Sequence, residues 1–77
     1  MQTLTMPKMG ITMNSATIVS WKKKVGDTVK QGEPLYEIET EKSTIGVDSP
    51  FAGILKEIVV EEGSSANVDE VIGYIEE

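Results

Sequence analysis

The close spacing of its chain breakers is what most constrains this chain. Turn-forming residues fall at Pro7–Gly10, Gly26-Asp27, Gly32-Glu33-Pro34, Asp48-Ser49-Pro50, Gly53, Gly63-Ser64-Ser65 and Asn67–Asp69. The runs between them are Gln2–Met6, Ala16–Trp21, Leu35–Thr40, Ser43–Val47, Ile54–Val60 and Val71–Ile75. These runs suit strands and are too short for helices. Trp21, Val25 and Val29 recur at helical spacing, but Gly26 and Asp27 interrupt them. The apolar residue types agree: Val and Ile number 16 and Thr 7, against 6 for Ala and Leu together. β-branched side chains are stiff at χ1 and suit a pleated surface. The expectation is an all-β domain, a sandwich or barrel of short strands.

Composition bounds the chemistry. The 77 residues make one small domain or a piece of a longer protein, with no linker and no low-complexity stretch. Such a chain buries only roughly 60–65% of its unfolded surface, so its core is thin. With no Cys there is no disulfide framework and no thiolate site. With no His, neither a Ser-His-Asp triad nor an imidazole-ligated zinc site can be built. The 13 acidic and 7 basic residues, all of the latter lysine, give a net charge of −6, which argues against binding a phosphate backbone. No apolar run approaches the roughly 20 residues of a membrane-spanning helix. Lys22–Lys24 reads as a solvated face and Glu61-Glu62 and Glu76-Glu77 as solubilising charge. Met6, Met9 and Met13 read as packing residues, because no Cys or His accompanies them to build a soft-metal site.

The chain also repeats itself. Displaced by 37 positions, Ala16–Glu39 lies over Gly53–Glu76. Gly26 then meets Gly63, Glu33 meets Glu70, Ile38 meets Ile75 and Glu39 meets Glu76. Ile18, Trp21, Val29 and Leu35 fall on Leu55, Ile58, Ala66 and Ile72. Four identities over 24 positions are few, but the glycine and apolar spacing favours a duplication over chance. A duplication implies two similar sheets related by a pseudo-two-fold and packed face to face. Residues 40–52 join the halves, and the counterpart of Lys42 would be position 79, beyond the last residue. The pseudo-two-fold therefore puts the Lys42 turn at one end of the domain and both termini near the other.

Around Lys42 two strand-like runs flank the polar centre Glu39-Thr40-Glu41-Lys42-Ser43, which reads as a hairpin. It lacks the Asn-Gly or Asp-Gly of a two-residue connection. A lone lysine in such a turn is ordinarily a solvated side chain. Here, however, Pro50 and Gly53 follow it, and Gly26-Asp27-x-Val29-x-x-Gly32 precedes it. The chain opens Met6-Pro7-Lys8-Met9-Gly10-Ile11-Thr12-Met13 and continues Ala16-Thr17-Ile18-Val19-Ser20-Trp21. In this order and spacing, over essentially the whole chain, the motifs resemble the lipoyl domain of 2-oxo acid dehydrogenase complexes. The opening looks most like dihydrolipoyl acyltransferase subunits of the pyruvate or acetoin dehydrogenase type.

The resemblance implies a flattened barrel of two four-stranded antiparallel sheets. It implies that Lys42 sits at an exposed hairpin tip and carries lipoic acid in amide linkage. The implied partners are a thiamine-dependent decarboxylase that reductively acylates the dithiolane, an acyltransferase core that passes the acyl group to coenzyme A, and a flavin-dependent dihydrolipoyl dehydrogenase that reoxidises it. A lipoate ligase or lipoyl transferase would attach the group, since a lysine of pKa ~10.4 is a poor nucleophile at neutral pH. The carried group supplies the sulfur chemistry that a chain without Cys lacks. By resemblance, the loop with Gly10, Ile11 and Thr12 lies beside the modified hairpin and helps partners choose the domain. Glu39, Glu41 and Ser43 are the expected recognition residues.

Two alternatives stand beside this reading. A biotinyl carrier domain shares the fold but typically flanks its lysine with Met, where this chain has Glu41 and Ser43. An unmodified β-sandwich interaction module would carry no adduct. Catalysis is not expected of residues 1–77 alone, because the family's acyltransferase core needs a His. The expectation is the N-terminal carrier domain of a longer acyltransferase subunit, monomeric when isolated, with no nucleic-acid or membrane partner. Met1 stands only a few residues before the first motif. That points to a bacterial cytoplasmic protein, with a mitochondrial matrix origin as the alternative.

Overall fold

A computed structural model of the chain describes residues 1–8, 14–41 and 43–77. Eight strands follow in order: β1 Gln2–Thr5, β2 Ser15–Trp21, β3 Thr28–Val29, β4 Pro34–Glu39, β5 Thr44–Asp48, β6 Gly53–Ile58, β7 Ser65–Asn67 and β8 Val71–Glu76. They form two four-stranded antiparallel sheets, ordered β1-β8-β6-β3 and β5-β4-β2-β7. The six long strands match the six expected runs to within two residues at either end. β3 and β7 are the two that the sequence did not mark. They have only two and three residues, and Gly26-Asp27 and Gly63-Ser64 read as turns.

The duplication is real in three dimensions. β2 pairs with β4 through Thr17–Glu39, Ile18–Ile38, Ser20–Glu37 and Trp21–Tyr36, with Val19 left over as a bulge. Adding 37 to each number gives the pairing of β6 with β8: Ile54–Glu76, Leu55–Ile75, Glu57–Tyr74 and Ile58–Gly73, with Lys56 left over. The turns repeat as well. Gly26 N–H donates to Leu55 O at 2.8 Å, and Gly63 N–H donates to Ile18 O at 2.7 Å. Gly32 and Asp69 occupy matching positions with φ of 84° and 73°. The left-handed region favours glycine, with Asp among the few other residues that visit it.

Apolar side chains from both halves fill the space between the sheets. Ile18, Leu35 and Ile38 of one sheet meet Leu55, Ile72 and Ile75 of the other, all fully buried. Each buried side chain of this kind contributes about 1.5–3 kcal/mol. Met6 belongs to this core and is fully buried, as a packing residue should be; Met9 and Met13 lie outside the described residues. Trp21 lies against Tyr36 with ring centroids 5.0 Å apart, and its indole N–H donates to Val60 O at 2.9 Å. The basic run is a salt-bridged surface: Lys22 Nζ reaches Glu37 at 3.2 Å and Lys23 Nζ reaches Glu33 at 2.7 Å.

The symmetry breaks where the chain begins and ends. In one sheet β4 runs into β5 through residues 40–43; in the other, the same outer pair is β8 and β1, with Gln2 opposite Ile75. Val68 N–H donates to Asn14 O, and Asp69 N–H to Met6 O, both at 2.9 Å. These bonds bring the Thr5–Val71 end of one sheet beside the Ser15–Asn67 end of the other. Thr40, Glu41 and Ser43 therefore lie at one end of the domain and the termini at the opposite end, as the repeat requires.

Two outcomes follow from this packing. Gly53 has φ of 154°, and a Cβ there would run into the carbonyl oxygen of Glu76. Gly53→Ala is expected to cost ~3 kcal/mol in a urea titration. Burial pushes the Tyr36 phenol up to about 12. Its unfolded-state value is lower, so its contribution is complete below about pH 10 and is lost as pH rises through 12. Unfolding midpoints measured from pH 9 to 12 should fall less steeply in Tyr36→Phe.

Candidate functional site

The polar centre singled out in the sequence sits at the connection of β4 and β5. β4 carries Leu35, Tyr36 and Ile38 into the core and ends at Glu39, which is exposed and pairs with Thr44. Beyond that pair the strands stay together through Thr40 N–H donating to Ser43 O at 2.8 Å. The Thr40 hydroxyl donates to Ser43 O at 3.1 Å and accepts from Ser43 N–H at 3.3 Å. This bonding stands where an Asn-Gly pair would otherwise shape a tight hairpin. Glu41 and Ser43 are exposed. Lys42, between them in the chain, lies outside the described residues, as do Gly10, Ile11 and Thr12.

Further residues surround this end of the domain. Thr17 of β2 pairs with Glu39 on one side and Ser65 of β7 on the other, and the Thr17 and Ser65 hydroxyls are 2.9 Å apart. Ala16–Ala66 and then Ser15–Asn67 follow outward. The Asn67–Glu70 turn is closed by Asn67 N–H donating to Glu70 Oε1 at 2.9 Å. The same turn bonds to Met6 and Asn14, the described residues near either end of the segment holding Gly10, Ile11 and Thr12. Glu39, Glu41, Asp69 and Glu70 are all exposed and give this end its negative charge. Sequence reasoning singled out Glu39, Glu41 and Ser43 but missed Thr17, Ser65 and the 67–70 turn. The Asn67–Asp69 turn was legible in the residues, but nothing local placed it, Thr17 or Ser65 at this end of the domain.

This arrangement is an exposed presentation site. A cleft of about 610 Å³ lies elsewhere, lined by residues that include Trp21, Val25, Ile58 and Glu62. None of its lining residues belongs to β4, β5 or their connection. Among the described residues no cluster of His, Cys, Asp or Glu could hold a metal ion. The site offers an acidic, hydroxyl-rich turn with an amine at its centre in the sequence. That chemistry suits attachment of a group by amide formation, with reaction at the group carried out elsewhere.

Comparison with known proteins gives the same picture. The sequence model of the Biotin_lipoyl family, described as "Biotin-requiring enzyme", matches residues 2–75. The succinyltransferase component of the 2-oxoglutarate dehydrogenase complex of Bartonella vinsonii subsp. berkhoffii is 43% identical over 70 residues, covering 91% of this chain and 17% of the relative. The mitochondrial acetyltransferase component of the pyruvate dehydrogenase complex of Caenorhabditis elegans is 46% identical over 59 residues, covering 77% of this chain and 12% of the relative. This chain thus spans only a small part of the length of these curated relatives. The solution structure of the lipoyl domain of the 2-oxoglutarate dehydrogenase complex of Azotobacter vinelandii superposes with a TM-score of 0.79 at 31% identity, over 97% of this chain and 95% of that one.

Proposed function

The chain belongs to the biotin- and lipoyl-attachment family and is a lipoyl domain, and from that premise we propose that Lys42 is the residue that carries its lipoyl group. The observation that carries this reading is the exposed acidic connection of β4 and β5 at the end of the domain away from both termini. The residues there fit the group. Glu41 and Ser43 are exposed on either side of Lys42, and the bonds between Thr40 and Ser43 hold the strands together up to the turn. When bound, the lipoyl group supplies a dithiolane that takes up electrons and an acyl group. The chain supplies the amine, a turn that presents it, and a fold that keeps the attachment point far from the tether. Amide formation removes the ammonium charge and lengthens the side chain into a flexible arm. Tethering then raises the local concentration of the arm at each active site without tight binding.

The proposal extends to the parent protein. Residues 1–77 would be the N-terminal domain of a bacterial, cytoplasmic dihydrolipoyl acyltransferase. A lipoate ligase or lipoyl transferase would load it. The thiamine-dependent decarboxylase, the acyltransferase core and dihydrolipoyl dehydrogenase would be visited in turn. The opening Met6–Met13 and Ala16–Trp21 supports a pyruvate-type or acetoin complex. The relatives from 2-oxoglutarate complexes make that substrate the competing one. Reductive acylation rates with decarboxylases for the three substrates separate the possibilities. Glu39, Glu41 and Ser43, with Gly10, Ile11 and Thr12, would be read by the partners, the carboxylates by steering a basic entrance toward the arm.

Protein isolated from its natural host, with its ligase intact, is expected to carry a lipoyl adduct that peptide mass spectrometry maps to Lys42. A biotinyl adduct or a bare amine would overturn the reading. Lys42→Ala should abolish modification while changing stability by no more than about 0.5 kcal/mol, as at most surface positions. Glu41→Gln is expected to slow reductive acylation roughly two- to five-fold at low salt, the size of one exposed charge interaction. Equal rates for Glu41→Gln and the parent domain would remove Glu41 from the recognition surface.

A further inference from the structure

We propose that the cleft of about 610 Å³ docks a peptide segment of a partner protein, one with an apolar side chain between an acidic and a basic residue. The cleft lies where the two halves of the repeat meet. Six of its lining residues form three repeat pairs, each 37 positions apart: Trp21 with Ile58, Lys24 with Glu61, and Val25 with Glu62. Two bonds from Trp21 to the other half hold this arrangement. Its indole N–H donates to Val60 O at 2.9 Å, and its backbone N–H donates to Glu62 Oε2 at 2.8 Å.

The floor of the cleft is apolar and accessible. Trp21 and Ile58 are only partly buried against the core, and Val25 is 58% exposed. An apolar side chain laid on these three is removed from water together with the surface it covers. The charges at the rim then decide which segment fits. Lys23 is already paired with Glu33 at 2.7 Å, and Glu62 accepts the Trp21 N–H. Lys24 and Glu61 are exposed, and among the described residues neither side chain makes an ion pair or hydrogen bond. They are repeat partners of opposite sign, so one half presents a cation to the cleft and the other an anion. A segment with one acidic and one basic residue about its apolar one complements both, whereas a segment with two like charges meets repulsion on one side. One apolar anchor and two exposed charges hold such a segment weakly. Weak contact is what a carrier that visits several enzymes in turn requires. The source of the segment, an enzyme that the domain visits, therefore rests on the reading of the chain as a lipoyl carrier.

The test titrates the unmodified chain with the synthetic peptide acetyl-Asp-Gly-Leu-Gly-Lys-amide. Binding is followed by backbone amide shifts and by the fluorescence of Trp21, the single Trp of the chain. Saturable binding is expected with Kd on the order of 1 mM, with shifts centred on Trp21, Val25 and Ile58. Replacing the Leu of the peptide by Ser should weaken binding roughly ten-fold. Replacing its Lys by Asp should weaken binding roughly two- to five-fold, the size of one exposed charge interaction. Lys24→Glu and Glu61→Lys should each weaken the first peptide by a similar factor. The double variant should bind it within about two-fold of the parent, because the peptide can then lie in the opposite direction. Absence of saturation by about 10 mM peptide, or affinity indifferent to these charges, would overturn the proposal. Two further arms test the source. At about 1 mM, the peptide should raise the KM of the lipoylated domain about two-fold with the enzyme whose segment it mimics. An unchanged KM with the decarboxylase, the acyltransferase core and the dehydrogenase alike overturns the assignment to a visited enzyme. Loss of peptide binding in the full-length protein also overturns it, since another part of the same chain would then occupy the cleft. The titrations involve no lipoyl group, so a missing adduct at Lys42 would count against the carrier reading and not against the cleft.

Discussion

The structure depends on a reciprocal exchange between its two halves. Gly26 at the turn before β3 donates to Leu55 in β6, and Gly63 at the turn before β7 donates to Ile18 in β2. Each half thereby places its short strand in the sheet built around the other half's long strands: β3 on β6, β7 on β2. Neither half can complete a sheet alone. The exchange needs positive φ at both glycines, 98° and 87°, which places the following residue where it can join the opposite sheet.

The same exchange separates the two ends of the domain in space. A pseudo-two-fold gives two equivalent hairpin positions. One is occupied by the connection of β4 and β5, the other by the N- and C-termini meeting as β1 beside β8. One end is free and the other is where any continuation of the chain must attach. A carrier domain requires that separation, because an arm beside its own tether would be hindered in reaching a partner's active site. The acidic turn is simple in composition, and its placement opposite both termini is what the fold adds.

Much of this was legible in the residues. The long strands announced themselves as short runs rich in Val, Ile and Thr between breakers. The core pairs Ile18/Leu55, Leu35/Ile72 and Ile38/Ile75 followed from a displacement of 37 positions. That displacement even reproduces the bulges at Val19 and Lys56. The turn around Lys42 was legible as a motif, whereas its closure through the Thr40 hydroxyl was not. Thr is common in strands for packing reasons, and nothing local distinguishes a hydroxyl that packs from one that bonds. Thr17 and Ser65 were invisible for a related reason. Their contact joins residues 48 positions apart and exists only because β7 lies on β2.

By itself, the sequence determined the all-β class, the extents of the six long strands, the internal duplication and the charged turn with its amine. Those properties come from side-chain periodicity and turn chemistry, which act over a few residues. Tertiary structure alone decided that Thr28–Val29 and Ser65–Asn67 are strands, because segments of two and three residues become strands only when a distant partner supplies their hydrogen bonds. It alone decided that Tyr36 is buried against Trp21 although its neighbour Leu35 is buried too, a break in alternation at an irregular point of the β4–β5 pairing. It also brought the 67–70 turn beside Met6 and Asn14, through bonds between chain positions more than 50 apart. Long-range pairing has no local signature, so it could be resolved only in three dimensions.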